Sequence, residues 1–156
     1  MLKIANSVKT TETRAVEALK VVLYQVPVIK IQGIEWEPQG ARGQVDILAR
    51  LSISGKRRLL ACVVKTDGQP RYVRVGLLQL HNYIAHLGGD VIPVLIAPYL
   101  SSQAQALCRE QGVSFLDLAG NARLVFDGIY IERSVAGRPV VERRALGHFL
   151  SPSLLR

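Results

Sequence analysis

Two apolar runs with β-type composition, residues 45–53 and 58–64, flank Ser54-Gly55-Lys56. Glycine there supplies the positive φ that a tight reversal needs, so the two runs are expected to pair as an antiparallel hairpin. The first carries a lone acid, Asp46, among Val45, Ile47 and Leu48. The second runs through Cys62-Val63-Val64 into a lone Lys65. A carboxylate in such apolar company costs several kcal/mol unless it is paired, solvated or bound to a metal. The hairpin thus sets one acid and one lysine at the ends of neighbouring strands.

The rest of the chain builds layers around that hairpin. Residues 11–25 read as a helix, with Ala15, Leu19, Val22 and Leu23 at helical spacing and Thr11 or Thr13 as the cap. Residues 28–32 read as a short edge strand, and 35–42 as a polar loop containing Trp36 as a lid over the core. After a loop at 66–70, Val73, Leu77, Leu80, Ile84 and Leu87 mark a second helix, ended by Gly88-Gly89. Residues 91–97 form a strand apolar on both faces, as a covered central strand should be. Ser101 or Ser102 caps a helix reaching Gln111, residues 113–118 form a further strand, and 121–126 with 129–133 make a last hairpin around Asp127-Gly128. The expectation is one α/β domain over 1–136, a central mixed sheet flanked by helices with an extra C-terminal hairpin. Residues 137–156 read as an extension, or as the start of a further domain.

Charge narrows the partner. The chain of 156 residues carries a formal net charge of +8. Eight basic residues fall between Arg42 and Arg74 (Arg42, Arg50, Lys56, Arg57, Arg58, Lys65, Arg71, Arg74), against only Asp46 and Asp67. Such a balance attracts polyanions, and nucleic acid is the commonest of these. No apolar run has the roughly 18–20 residues of a membrane span, the run at 91–100 being broken by Pro93 and Pro98. No signal-peptide core begins the chain. With Cys62 in a strand and Cys108 in a helix, both thiols are expected to be buried and reduced, in keeping with a cytoplasmic protein. His81, His86 and His148 lack metal-ligand spacing, and no P-loop, dinucleotide fingerprint, nucleophile elbow or zinc pattern occurs.

On Asp46, Lys65 and the helix–hairpin–helix–strand order, residues 11–97 resemble the PD-(D/E)xK, or restriction-endonuclease-like, superfamily. Residues 65–74 and 112–121 look more narrowly like bacterial proteins that join such a domain to a DNA-binding winged helix, some of them antitoxin-like transcriptional regulators. The resemblance implies that Asp46 is a Mg²⁺ ligand and that Lys65 orients water or stabilises phosphoryl charge. It also implies a second acid two residues before the lysine, where this chain has Val63. Many members place an acid on the first helix, which makes Glu17 the preferred replacement as catalytic and metal residue, with Glu35, Glu37 and Asp67 as alternatives. Gln79 and Tyr83 match the Gln-x-x-x-Tyr pattern of RecB-like members, where the pair lines the site and helps hold DNA. Arg42, Lys56, Arg71 and Arg74 are the candidate phosphate contacts.

Three readings follow. In the first, the chain is a DNA-binding, regulatory domain on a nuclease fold with a degenerate metal site. In the second, it is a Mg²⁺-dependent DNA endonuclease with a migrated acid. In the third, it is a protein-interaction module that kept the fold and lost DNA. A homodimer is compatible with each.

Overall fold

The computed structural model describes residues 2–36, 45–87 and 90–135. Its elements run α1 (Leu2–Tyr24), β1 (Ile29–Trp36), β2 (Ile47–Ile53), β3 (Lys56–Val64), α2 (Pro70–Leu87), β4 (Val91–Ala97), α3 (Ser102–Glu110), β5 (Ser114–Asp117), β6 (Ala122–Phe126) and β7 (Ile129–Arg133). The described residues form an α/β domain around one seven-stranded sheet whose spatial order follows the chain, β1 to β7. β3, β4 and β5 are parallel, and the remaining pairs are antiparallel.

Side-chain alternation divides the core into two layers. Ile47, Ala49, Leu51 and Ile53 of β2, with Leu60 and Cys62 of β3, face α1, where Ala15, Leu19, Val22 and Leu23 meet them. Ala61 and Val63 of β3 and Leu95 of β4 face the other way, against Val73, Leu77, Leu80 and Tyr83 of α2 and Ala104 and Cys108 of α3. Cys62 and Cys108 are buried and free.

Turn chemistry explains both hairpins. Ser54 and Gly55 have φ of 52° and 83°, and Asp127 and Gly128 have 51° and 79°. Two successive positive φ values match the right-handed strand twist, so each reversal needs only two residues. The Ser101 hydroxyl accepts the Ala104 amide at 3.2 Å and starts α3 as expected.

Several expectations are corrected. Helix α1 begins at Leu2, so Thr11 and Thr13 lie inside it instead of capping it. β1 is longer than 28–32: a bulge between Ile31 and Gly33 lets the strand continue, pairing Glu35 with Leu48 and Trp36 with Ile47. Trp36 is accordingly a strand residue, 45% exposed, and not a loop lid. Glu37, Arg42, His148 and the extension at 137–156 lie outside the described residues.

Candidate functional site

Asp46 is not within β2 but at the bend that enters it. Two hydrogen bonds clip it to β3: its amide donates to Cys62 O at 2.9 Å, and its Oδ2 accepts the Val64 amide at 2.7 Å. The next amide of the chain, that of Lys65, turns the other way and donates to Ile96 O at 2.8 Å. Asp46 and Lys65 are therefore held by backbone bonds at the same end of the β2–β3 hairpin, where β3 leaves the sheet.

Electrostatics bind the pair together. Burial raises the Asp46 carboxyl above its ordinary value, while the Val64 amide and the Lys65 charge pull it back down. Burial lowers the Lys65 ammonium, and Asp46 opposes that shift. Each is thus partly desolvated and within the other's field.

The acid on α1 that feels Asp46 is Glu12. Its carboxyl is raised first by burial and then by the Asp46 charge. The helical wheel accounts for this, because Glu12 lies three and seven residues before Ala15 and Leu19, both fully buried. Glu17, two positions past Ala15, is turned outward, 68% exposed and 3.8 Å from Lys20. Helical spacing from Ala15 and Leu19 was the signal that would have found Glu12. The other proposed replacements are engaged elsewhere: Glu35 pairs with Arg50, and Asp67 accepts the Gln69 amide at 2.9 Å in the turn before α2. Among the described residues no group of three His, Cys, Asp or Glu side chains is placed to share a metal ion.

Val63 is 1% exposed and packs in the apolar layer under α2. Lys65 shares that side, since a methyl group added at Gly76 of α2 would lie 3.2 Å from Lys65 Cε, 3.4 Å from Val63 Cγ1 and 2.9 Å from Leu95 Cδ1. Glycine at this position lets α2 sit against the lysine stem. Gln79, one turn further along α2, has its Oε1 buried with no hydrogen-bond partner among the described residues. Tyr83, the next turn on, is 7% exposed and packs in the core.

The basic candidates separate. Arg71 and Arg74 are exposed on the first turns of α2, six and nine residues after Lys65, with Arg71 stacked 4.7 Å from the Tyr72 ring centroid. Lys56 starts β3, at the far end of the strand from Lys65 and on the α1 face, opposite Ile53. Nine residue steps at about 3.3 Å put the two backbones roughly 30 Å apart. Lys56 therefore does not belong with the Asp46–Lys65 corner.

Beyond Lys65, a cavity of about 1060 Å³ opens at the carboxyl ends of β3 and β4, with Thr66, Gln69, Ser101, Gln105 and Asn121 on its wall. Asn121, which ends the segment 117–121, is the residue of that segment on its wall. Asp117, 3% exposed, accepts the amides of Leu100, Ala119, Gly120 and Asn121 and the Asn121 Nδ2, at 2.8–3.0 Å. Asn121 Oδ1 in turn accepts the Val135 amide at 2.8 Å. This motif is a structural tie that joins the β4–α3 loop, the β5–β6 turn and the end of β7.

The sequence matches no protein-family model and no curated protein. Among solved structures, the chain is similar to a repair endonuclease from Pyrococcus abyssi at 18% identity and a TM-score of 0.44, covering 64% of this chain and 44% of that one. It is also similar to EndoMS in the EndoMS–dsDNA2 complex (22%, TM-score 0.42, 65% and 44%) and in apo form (17%, TM-score 0.43, 66% and 45%). The chain spans less than half the length of each of these proteins. No described helix is long and apolar enough to cross a membrane.

Proposed function

We propose that this chain is a nucleic-acid-binding domain of nuclease-like design that holds duplex DNA at the Asp46–Lys65 corner and lacks a complete metal site. The carrying observation is the contrast between neighbours on β3. Lys65 stands within the field of Asp46, whereas Val63, two residues earlier, is sealed into the apolar core. A lysine ammonium, with Arg71 and Arg74 exposed on the adjoining helix, provides cations for phosphates. The resemblance of residues 65–74 and 112–121 to regulatory relatives supports a targeting role over a cutting one.

A second reading is favoured by Glu12. Mg²⁺ is commonly held by one or two carboxylates together with substrate phosphate and water oxygens. An ion bound here would take Asp46 and Glu12 as its protein ligands, and it would neutralise charge on a phosphoryl oxygen. Burial raises Glu12 first and the Asp46 charge raises it further, and a shared cation would offset that second contribution. Lys65 would remain the fixed positive charge beside it.

Incubating supercoiled plasmid with the protein and Mg²⁺ or Mn²⁺ separates the two. The first reading expects bound, intact plasmid. Nicking that disappears in Glu12→Gln would establish the second.

A further inference from the structure

The two faces of the sheet are covered unequally. Helix α1 packs against β1, β3, β4 and β5 on one face, and α2 with α3 packs against β3, β4 and β5 on the other. On that second face Leu48 of β2 packs against the α2–α3 layer, while Lys30, Glu35, Arg50 and Arg57 of the described residues are exposed. Strand alternation assigns to its open part Lys30, Glu35, Arg50, Ser52 and Arg57, on the side of the sheet opposite α1. By register, Lys30, Ser52 and Arg57 form one cross-strand row, and Gly33, Arg50, Leu59 and Val91 form the next. A hollow of about 560 Å³ opens between these rows and the last turn of α2, lined in part by Arg50, Arg57, Leu59, Leu87 and Asp90.

The cations here differ in their commitments. Arg50 pairs with Glu35 and lies across Gly33. Arg58 alternates to the α1 face and reaches Asp127 at 3.3 Å. Lys30 and Arg57 make no ion pair among the described residues and are exposed. Three cations against Glu35 and Asp90 give a compact anion little net attraction. A long polyanion fares better, because it meets Lys30 and Arg57 at one end of the hairpin and Lys65 at the other. Arg57 and Lys65 are eight residues apart, roughly 26 Å along a strand. That length matches about eight phosphate spacings of one DNA strand at 3.4 Å each.

Resting on the DNA-binding reading above, we infer that the part of this β1–β2 face left open by the described residues is a second contact surface for the duplex backbone, with Lys30 and Arg57 touching phosphates. It continues the Asp46–Lys65 corner along β2. Arg50, tethered by Glu35, forms its floor.

The test is the binding of a 16-base-pair duplex by fluorescence anisotropy between 50 and 200 mM salt. Wild type is compared with Lys30→Ala/Arg57→Ala and with Lys20→Ala/Arg109→Ala. The control pair removes the same charge from residues that are ion-paired with Glu17 and Glu132. Losing two phosphate contacts should make the log–log salt slope shallower by about 1.8. Over that fourfold salt range the Lys30/Arg57 variant should then weaken about tenfold less than wild type, with the control unchanged. A salt-dependent wild type whose slope is the same in the Lys30/Arg57 variant overturns this surface and leaves the Asp46–Lys65 reading in place. A salt-independent wild type overturns both.

Discussion

Val64 donates its amide proton to Asp46 Oδ2 at 2.7 Å, so the acid that enters β2 is fixed by the backbone of the strand that ends in Lys65. One hydrogen bond thus sets the spacing of the two charged residues, and the carboxylate retains a second oxygen for a phosphate-bound water or ion. Burial nevertheless holds Asp46 above its ordinary value. A carboxyl raised in the folded state stabilises the fold below its unfolded value, near 3.8, and that contribution is lost as pH rises through the folded value. Asp46→Asn removes this loss and also lifts the Asp46 charge from Glu12. Urea unfolding from pH 4 to 8 should show the variant gaining on wild type as pH rises. A stability difference that does not change with pH would show that Asp46 is not strained by burial.

Val63→Glu would place a carboxylate in the apolar layer beneath α2, next to the stem of Lys65. Without metal this should cost at least about 3 kcal/mol, because the new charge is buried with incomplete pairing. Mg²⁺ should restore part of the loss, raising the thermal midpoint of the variant and leaving that of wild type in place. A variant indifferent to Mg²⁺ would mean that position 63 is not where the missing acid belongs.

Gln79 Oε1 is buried without a partner among the described residues, and an acceptor left unmatched in this way costs about 1–3 kcal/mol. Gln79→Leu is therefore expected to stabilise the protein by about 1 kcal/mol while weakening duplex binding. Unfolding and binding measured on one preparation check both halves. A destabilised variant with normal binding would make Gln79 an ordinary packing residue.

Asp117 serves four backbone amides and the Asn121 side chain. Asp117→Ala leaves those donors buried and unmatched, and should cost at least about 3 kcal/mol. The loss would appear in denaturant unfolding, and a cost under about 1 kcal/mol would show that water replaces the carboxylate.

Element order was legible because it rests on local signals. The stripe on α2, the two-sided apolar run of β4 and the Ser54-Gly55 and Asp127-Gly128 reversals each specify their structure within a few residues. The errors arose where tertiary contacts decide. Gly33 and the bulge carry β1 on to Trp36, since Arg50 folds across the glycine and pairs with Glu35 beyond it. Asp46 and Lys65 stood out because charged residues are rare in apolar strands. Glu12 did not, although its spacing from Ala15 and Leu19 sets it on the buried side of α1, because a partly buried glutamate on an amphipathic helix carries no local signal of its own. Glu17 lies on the same helix, but the 100° step between residues turns it to solvent. Lys56 belonged to the right run of basic residues, but strand length carried it to the far end of β3.

The most direct test of the account is duplex DNA affinity as a function of salt for wild type and Lys65→Ala. Wild type should bind more weakly as salt rises, with a log–log slope steeper than about −2, and removal of Lys65 should make that slope shallower by about 0.9. An identical slope in Lys65→Ala, in a protein that still binds DNA, would contradict the placement of a phosphate at the Asp46–Lys65 corner.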